Sequence, residues 1–206
     1  MRTLRNLAVL SLLSLTALGA TGGIHGKVNG GPPPKAMPGA FPPPPPRSVV
    51  WAIGPAHYTP VASKTYTLDQ KWTAFQPHVL AVPVGATVVF HNNDTVKHNV
   101  SWKAIGGNRA LAKNLGNAAP GQTLSFRFTH PGVVHLRCTL HPDMSAYIVV
   151  VPTQYFTTTQ RSGSYQLKGL PAGHYRVVAW HEGRQQQTRT VAVGSSTTTV
   201  NFNLSK

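Results

Sequence analysis

The chain has 206 residues, with 19 Lys and Arg against 4 Asp and Glu for a formal charge of +15, one Cys, 19 Gly and 18 Pro. That length holds one domain or two small ones. With only 11% charged residues and little Leu beyond the N-terminus, coiled coils, long-helix proteins and helical bundles are excluded. The cations are scattered, with no basic run and no interleaved aromatics, which argues against nucleic acid as a partner and for acidic proteins or an anionic surface.

The first residues read as an export signal over 1–22: Arg2 and Arg5 form a charged start, Leu7 to Ala20 an apolar run, and small residues follow through Gly23. The run is too short to span a bilayer comfortably, and its small-residue end suits a signal peptidase. A periplasmic or secreted protein with no membrane span after signal removal is expected. An exported chain normally pairs its cysteines, yet Cys138 stands alone. It is therefore buried and inert, bonded to another chain, or held by a metal.

Residues 23–63 contain a proline-rich stretch, Gly30 to Arg47, that reads as a stiff extended loop, followed by Ser48 to Gly54, a short buried strand. From Lys64 to 152, apolar segments recur between polar turns: Val79 to Val82, Thr87 to Phe90, Thr123 to Phe128, Val133 to Cys138 and Tyr147 to Val151. Ser101 to Gln122 reads mostly as loop, with a helical turn over Asn108 to Leu115. Residues 153–206 repeat the strand pattern, ending in Thr197 to Leu204, where Val200, Phe202 and Leu204 alternate with polar residues. Short strands at regular spacing predict an all-β protein of sandwich or Greek-key type. Because the last fifty residues make a thin domain alone, Ile24 to Val28 and Ser48 to Ile53 are candidates to supply its missing strands.

Cys138-Thr139-Leu140-His141-Pro142-Asp143-Met144 places a thiolate, an imidazole and a thioether on one loop between two predicted strands. His98 follows the strand Thr87 to Phe90 and offers a fourth ligand. Two His, one Cys and a weak axial Met make up the donor set of mononuclear blue copper. Zinc gains little from Met, and its structural sites normally carry four strong ligands. His25, His57, His78, His91, His130, His135, His174 and His181 show no clamp spacing and read as solvated or core residues. Trp51, Trp72, Trp102 and Trp180 read as core or edge aromatics.

These residues, with Phe75 to Leu80, Val84 to Phe90, Asn93-Asp94 and His98-Asn99-Val100, resemble a cupredoxin over about residues 64 to 152. The Cys-x2-His-x2-Met loop is similar to that of amicyanin. The resemblance implies a Greek-key β-sandwich holding one type 1 copper ion through His98, Cys138, His141 and Met144. It also implies that hydrogen bonds from Asn99 and Thr139 tie the first-His segment to the Cys loop. The tail, with Gly169 to Tyr175 and Trp180-His181, resembles carboxypeptidase regulatory-like, prealbumin-type (Ig-like) sandwiches. The whole pattern looks like bacterial plastocyanin-like proteins of methylamine-utilisation type. The expected function is one-electron transfer between periplasmic redox proteins with acidic surfaces, docking near Leu140 and Pro142, rather than enzymatic turnover. Copper storage or delivery, and a metal-free interaction module, are the alternatives.

Overall fold

The structure, a computed structural model, describes residues 21–31, 47–55, 58–59, 64–105 and 112–204. The expected export signal up to residue 20, most of the proline-rich stretch and residues 108–111 of the expected helical turn lie outside the described residues. All regular structure described is β.

Two strands come first, β1 (Thr21–Asn29) and β2 (Val49–Ile53). Nine follow: β3 (Thr65–Lys71), β4 (Ala74–Gln76), β5 (Val79–Pro83), β6 (Thr87–Asn92), β7 (His98–Ile105), β8 (Lys113–Ala118), β9 (Thr123–Arg127), β10 (Gly132–Arg137) and β11 (Ser145–Val151). The chain ends with β12 (Phe156–Thr158), β13 (Ser164–Pro171), β14 (Gly173–Trp180), β15 (Gln187–Val193), β16 (Thr197–Thr199) and β17 (Phe202–Asn203).

Pairing divides these strands into two sandwiches. In the larger, β5-β11-β10-β7-β8 forms one sheet and β4-β3-β6-β9 the other. The smaller has β12-β2-β14-β15 and β13-β1-β16, with β17 also on β1. Thus β1 and β2, which precede the larger module, pair with strands that follow it: β1 with β13 from Thr21↔Pro171 to Lys27↔Ser164, and β2 with β14 from Val49↔Trp180 to Ile53↔Arg176. The larger sandwich is an insertion into the smaller one. Thr21 and Gly22, inside the expected signal boundary, already belong to β1.

The four sheets stack with three apolar layers between them. Leu68, Phe75, Phe90, Trp102, Leu136 and Ile148 belong to the core of the larger sandwich, and Ile24, Val50, Leu170, Val177 and Phe202 to that of the smaller. A third layer, including Val49, Trp51, Val79, Val149, Val151, Val178 and Trp180, joins the two sandwiches. Successive strand residues face opposite sides. On β11, Ala146, Ile148 and Val150 enter the first core while Val149 and Val151 enter the joining layer; β2 divides Val50 and Ala52 from Val49 and Trp51 in the same way. Burial on both faces explains why these strands read as continuous apolar runs rather than alternating ones. Each fully buried Val or Ile contributes roughly 1.5–3 kcal/mol, so the joining layer holds the modules as one body. Central β1 admits close neighbours because it is glycine-rich: a Cβ at Gly26 would overlap the Val200 carbonyl.

Three expectations need correction. Ser101 to Gln122 is not mainly loop: β7 runs through Ile105 and pairs with β8, from His98↔Ala118 to Trp102↔Lys113. Consequently Lys113 to Leu115 are extended, not helical. The Gly, Ala and Asn composition that reads as loop is tolerated because β8 is an edge strand with little to bury, and Gly116 takes φ 92° beside a register shift. Trp72 is neither core nor edge. It sits at the tip of the β3–β4 hairpin, 72% exposed, where Lys71 pairs with Ala74 and the two-residue loop Trp72-Thr73 has φ of 54° and 55°. Two positive φ values define the type I′ hairpin turn, which favours Asn-Gly. A bulky and a β-branched residue there carry backbone strain on the order of 1–3 kcal/mol each.

Candidate metal centre

The sheet β5-β11-β10-β7-β8 brings together ligands that lie far apart in sequence. His98 opens β7, Cys138 follows β10, and β7 and β10 pair from Ser101↔Arg137 to Ile105↔Val133. This register sets Arg137, the last residue of β10, opposite Ser101, three residues beyond His98 in β7. The loop from Cys138 to Met144 then closes on itself: Cys138 N–H donates to the Met144 carbonyl (3.1 Å) and Met144 N–H to that of His141 (3.0 Å). The closure returns the chain into β11, which pairs with β10.

His98 Nδ1 and His141 Nδ1 lie 3.1 Å apart, and Cys138 Sγ is 3.6 Å from His141 Nδ1. Among the described residues, His98, Cys138 and His141 form the group of three metal-ligating side chains whose donor atoms all lie within 4.8 Å of one another. Two imidazole lone pairs at this separation repel unless a proton or cation lies between them. Bonds of about 2.0–2.3 Å from one ion to nitrogen and sulfur give donor separations of roughly 3.3–3.6 Å in tetrahedral geometry, so the three atoms fit a single ion. Met144 is 1% exposed beneath the loop. A soft thiolate, two imidazoles and an apolar wall carrying a thioether suit copper better than a hard cation.

His98 is fully buried, whereas His141 is partly exposed and flanked by exposed Leu140 and Pro142. The remaining nitrogen of His98, Nε2, is 3.1 Å from Asp94 Oδ2. With Nδ1 turned to the ligand group, Nε2 carries the proton and donates it, which orients the ring and strengthens its lone pair. Asp94 is itself fixed, accepting from Thr73 N–H (2.7 Å, Oδ2) and Thr95 N–H (2.8 Å, Oδ1). Burial pushes its carboxyl up, but these donors and His98 outweigh that and leave it below the ordinary value. Sequence reading missed this role. The available signal was an acid four residues before a candidate ligand in a chain with 4 acids.

The expected link through Asn99 and Thr139 takes another form. The Asn99 backbone N–H donates to Cys138 Sγ at 3.2 Å, while its side-chain NH2 turns to Asn114 and Asn117 on β8. Ser101 Oγ, not Thr139, adds the second tie by donating to the Arg137 carbonyl at 3.0 Å. Thr139 is exposed on the loop. Trp102 lies in the core, stacked on Phe90 with ring centroids 5.9 Å apart. A cleft of about 710 Å³ lined by Tyr66, Phe75, His78, Leu80 and Phe156 includes none of the ligand residues.

Comparison with known proteins agrees with this geometry. The family of copper binding proteins of the plastocyanin/azurin type matches residues 62–151, and the carboxypeptidase regulatory-like domain matches residues 141–205. The matches overlap at 141–151, and pairing of β11 with β5 and β10 assigns that strand to the larger sandwich. No curated protein matches the chain. Similar solved structures include a purple cupredoxin from Nitrosopumilus maritimus, 24% identical over 41% of this chain and 98% of its own, with TM-score 0.37. A reduced variant of amicyanin is 29% identical over 48% of this chain and 98% of its own, with TM-score 0.39. The chain thus carries a copper-binding domain of the plastocyanin/azurin family, inserted into a carboxypeptidase regulatory-like β-sandwich.

Proposed function

We propose that this is an exported type 1 (blue) copper protein carrying single electrons between periplasmic redox partners. In this reading it binds one copper ion through His98, Cys138 and His141 with Met144 as the weak axial ligand, and it is a carrier rather than an enzyme. The observation that carries the reading is the convergence of Cys138 Sγ and two imidazole Nδ1 atoms on one point, in a loop closed by backbone hydrogen bonds. Copper, when bound, supplies one-electron chemistry between Cu(II) and Cu(I).

The chain's own contribution is rigidity and access. The Asn99 N–H on Cys138 Sγ stabilises thiolate charge, and Asp94 keeps His98 in one tautomer. Buried Met144 and His98 keep solvent from the inner side, so little needs to rearrange when charge changes. On the outer side the partly exposed His141 gives the shortest way to the surface, and Leu140 and Pro142 offer apolar contact to a partner. The basic chain, +15 overall, steers acidic proteins toward it.

The test is absorption and EPR of the purified chain after one equivalent of Cu(II), beside Cys138→Ala. An intense thiolate-to-copper band with narrow hyperfine splitting, both lost in the variant, is expected. A colourless protein with ordinary tetragonal copper signals sinks the electron-carrier reading and leaves copper handling.

A further inference from the structure

We propose that Asn92 is a positioning residue for the metal centre, whose carboxamide presets Asp94 and His98 before any ion arrives. The inference rests on the copper reading above and adds the group that fixes the buried side of the site. Asn92 ends β6, and Asn93 to Lys97 carry the chain across to His98 at the start of β7. These two strands belong to opposite sheets of the larger sandwich. The crossing therefore has no ladder of its own, and its backbone polar groups must find partners elsewhere.

Asn92 supplies them from within the fold, where its side chain is fully buried. Its Nδ2 donates to the Val96 carbonyl and to the Ala118 carbonyl, both at 2.9 Å, and its Oδ1 accepts the Asp94 N–H at 3.0 Å. Ala118 is the β8 residue opposite His98. One rigid amide plane thus joins the residue that holds His98 Nε2, the residue two places before His98, and the strand beside it. The base of this clamp is fixed too: Asn92 N–H donates to the Gln122 carbonyl (2.9 Å), and the Asn92 carbonyl accepts from Gly121 N–H (2.8 Å). An Asn oxygen that accepts from the amide two residues on is an ordinary turn device. The two donated bonds go beyond what the turn requires, and both end beside His98. Only a carboxamide serves both needs: Asp would turn a second oxygen toward two carbonyls, and Leu would leave all three backbone groups without this partner.

The test uses the full chain. Without metal, 15N correlations of the imidazole nitrogens should show His98 as one tautomer, protonated at Nε2, and Asn92→Leu should show both tautomers in exchange. With copper, Asn92→Leu should lower Cu(II) affinity about 10–100-fold. The loss for Cu(I) should be smaller, because soft sulfur ligands hold that state. Each tenfold difference between the two losses raises the reduction potential by about 59 mV. Asn92→Ser keeps an oxygen for the Asp94 amide but gives up the carbonyl ties. It should show the same changes in smaller degree, and it decides the matter if the Leu variant does not fold. The control is Thr153→Ala in the smaller sandwich, where a buried hydroxyl donates to the Ala52 carbonyl (2.8 Å) and accepts the Tyr155 N–H (3.1 Å). The control should melt lower, as the Asn92 variants do, with the His98 tautomer and the potential unchanged. A role in folding alone predicts that the Asn92 variants match the control in tautomer and potential, and that result overturns the proposal. If the unsubstituted chain gives no thiolate-to-copper band, the copper reading falls instead, and the tautomer of the metal-free chain still decides the role of Asn92.

Discussion

Glu182, the only glutamate in the sequence, places its carboxylate 2.6 Å from His78 Nε2 across the boundary between the two sandwiches. Glu182 follows β14 of the smaller module and His78 precedes β5 of the larger. Tyr147 on β11 adds a hydrogen bond to the same carboxylate, and burial together with Glu182 pushes Tyr147 up to about 12. His135 stacks on Tyr147 with centroids 4.7 Å apart, so a polar cluster borders the apolar joining layer.

This cluster makes the junction acid-sensitive. Burial pushes the Glu182 carboxyl up, but His78 and Tyr147 outweigh it and hold it below the usual range. Burial lowers His135 and His181. In all three the unfolded chain binds protons more readily, so stability is greatest above the unfolded pKa values and falls as pH drops through the folded ones. Urea midpoints should decline from about pH 7 to pH 4, the range set by ordinary His and Glu values. Glu182→Gln should cost about 1.5–3 kcal/mol at neutral pH and flatten the lower part of the profile. Midpoints independent of pH would refute the account.

Separating the modules should fail for an apolar reason. A chain cut to residues 64–152 would expose the Val79, Ala81, Val149 and Val151 side chains that now fill the joining layer. We expect this fragment to associate, as contiguous apolar patches do, and light scattering of the fragment beside the full chain checks it. A monodisperse, fully soluble fragment would show that the joining layer is dispensable.

Met144 is packed in the core, and the proposed reading gives it an electronic role as well; two variants divide them. Met144→Ala should cost about 2–5 kcal/mol, because its side chain is 1% exposed and leaves a cavity. Met144→Leu should cost less than about 1.5 kcal/mol, keep the thiolate-to-copper band and raise the reduction potential by removing the axial donor. Denaturation curves and voltammetry report the two effects separately. An unchanged potential in Met144→Leu would remove Met144 from the ligand set.

Asp94→Asn keeps one oxygen, which can still accept from the Thr95 amide, but turns an NH2 group toward the Thr73 amide and His98 Nε2, so His98 loses its anionic acceptor. The expected loss is about 10–100-fold in Cu(II) affinity, measured by chelator competition. Equal affinity would mean that the carboxylate serves the loop alone.

Much of the metal centre is legible in the residues because its donors are chemically rare and closely spaced. Cys138, His141 and Met144 share one loop, and a lone Cys in a chain with an export-type start already calls for an explanation. Asp94 is not legible in the same way. Its bond to His98 depends on the Thr73 amide reaching it from a hairpin more than twenty positions earlier. The exposure of Trp72 likewise depends on which two residues the β3–β4 register leaves in the turn.

Composition and turn spacing determined the all-β class, and soft ligands at short offsets determined the chemistry of the centre, because both are local properties of the chain. Tertiary structure alone decided that β7 extends through Ile105 to pair with β8, that Asn99 reaches Cys138 by its backbone, and that one module is inserted into the other. It also decided that sheets containing β11 and β2 are buried on both faces. The physical reason is that strand pairing joins residues far apart in sequence, and an apolar run says that a strand is covered without saying by what.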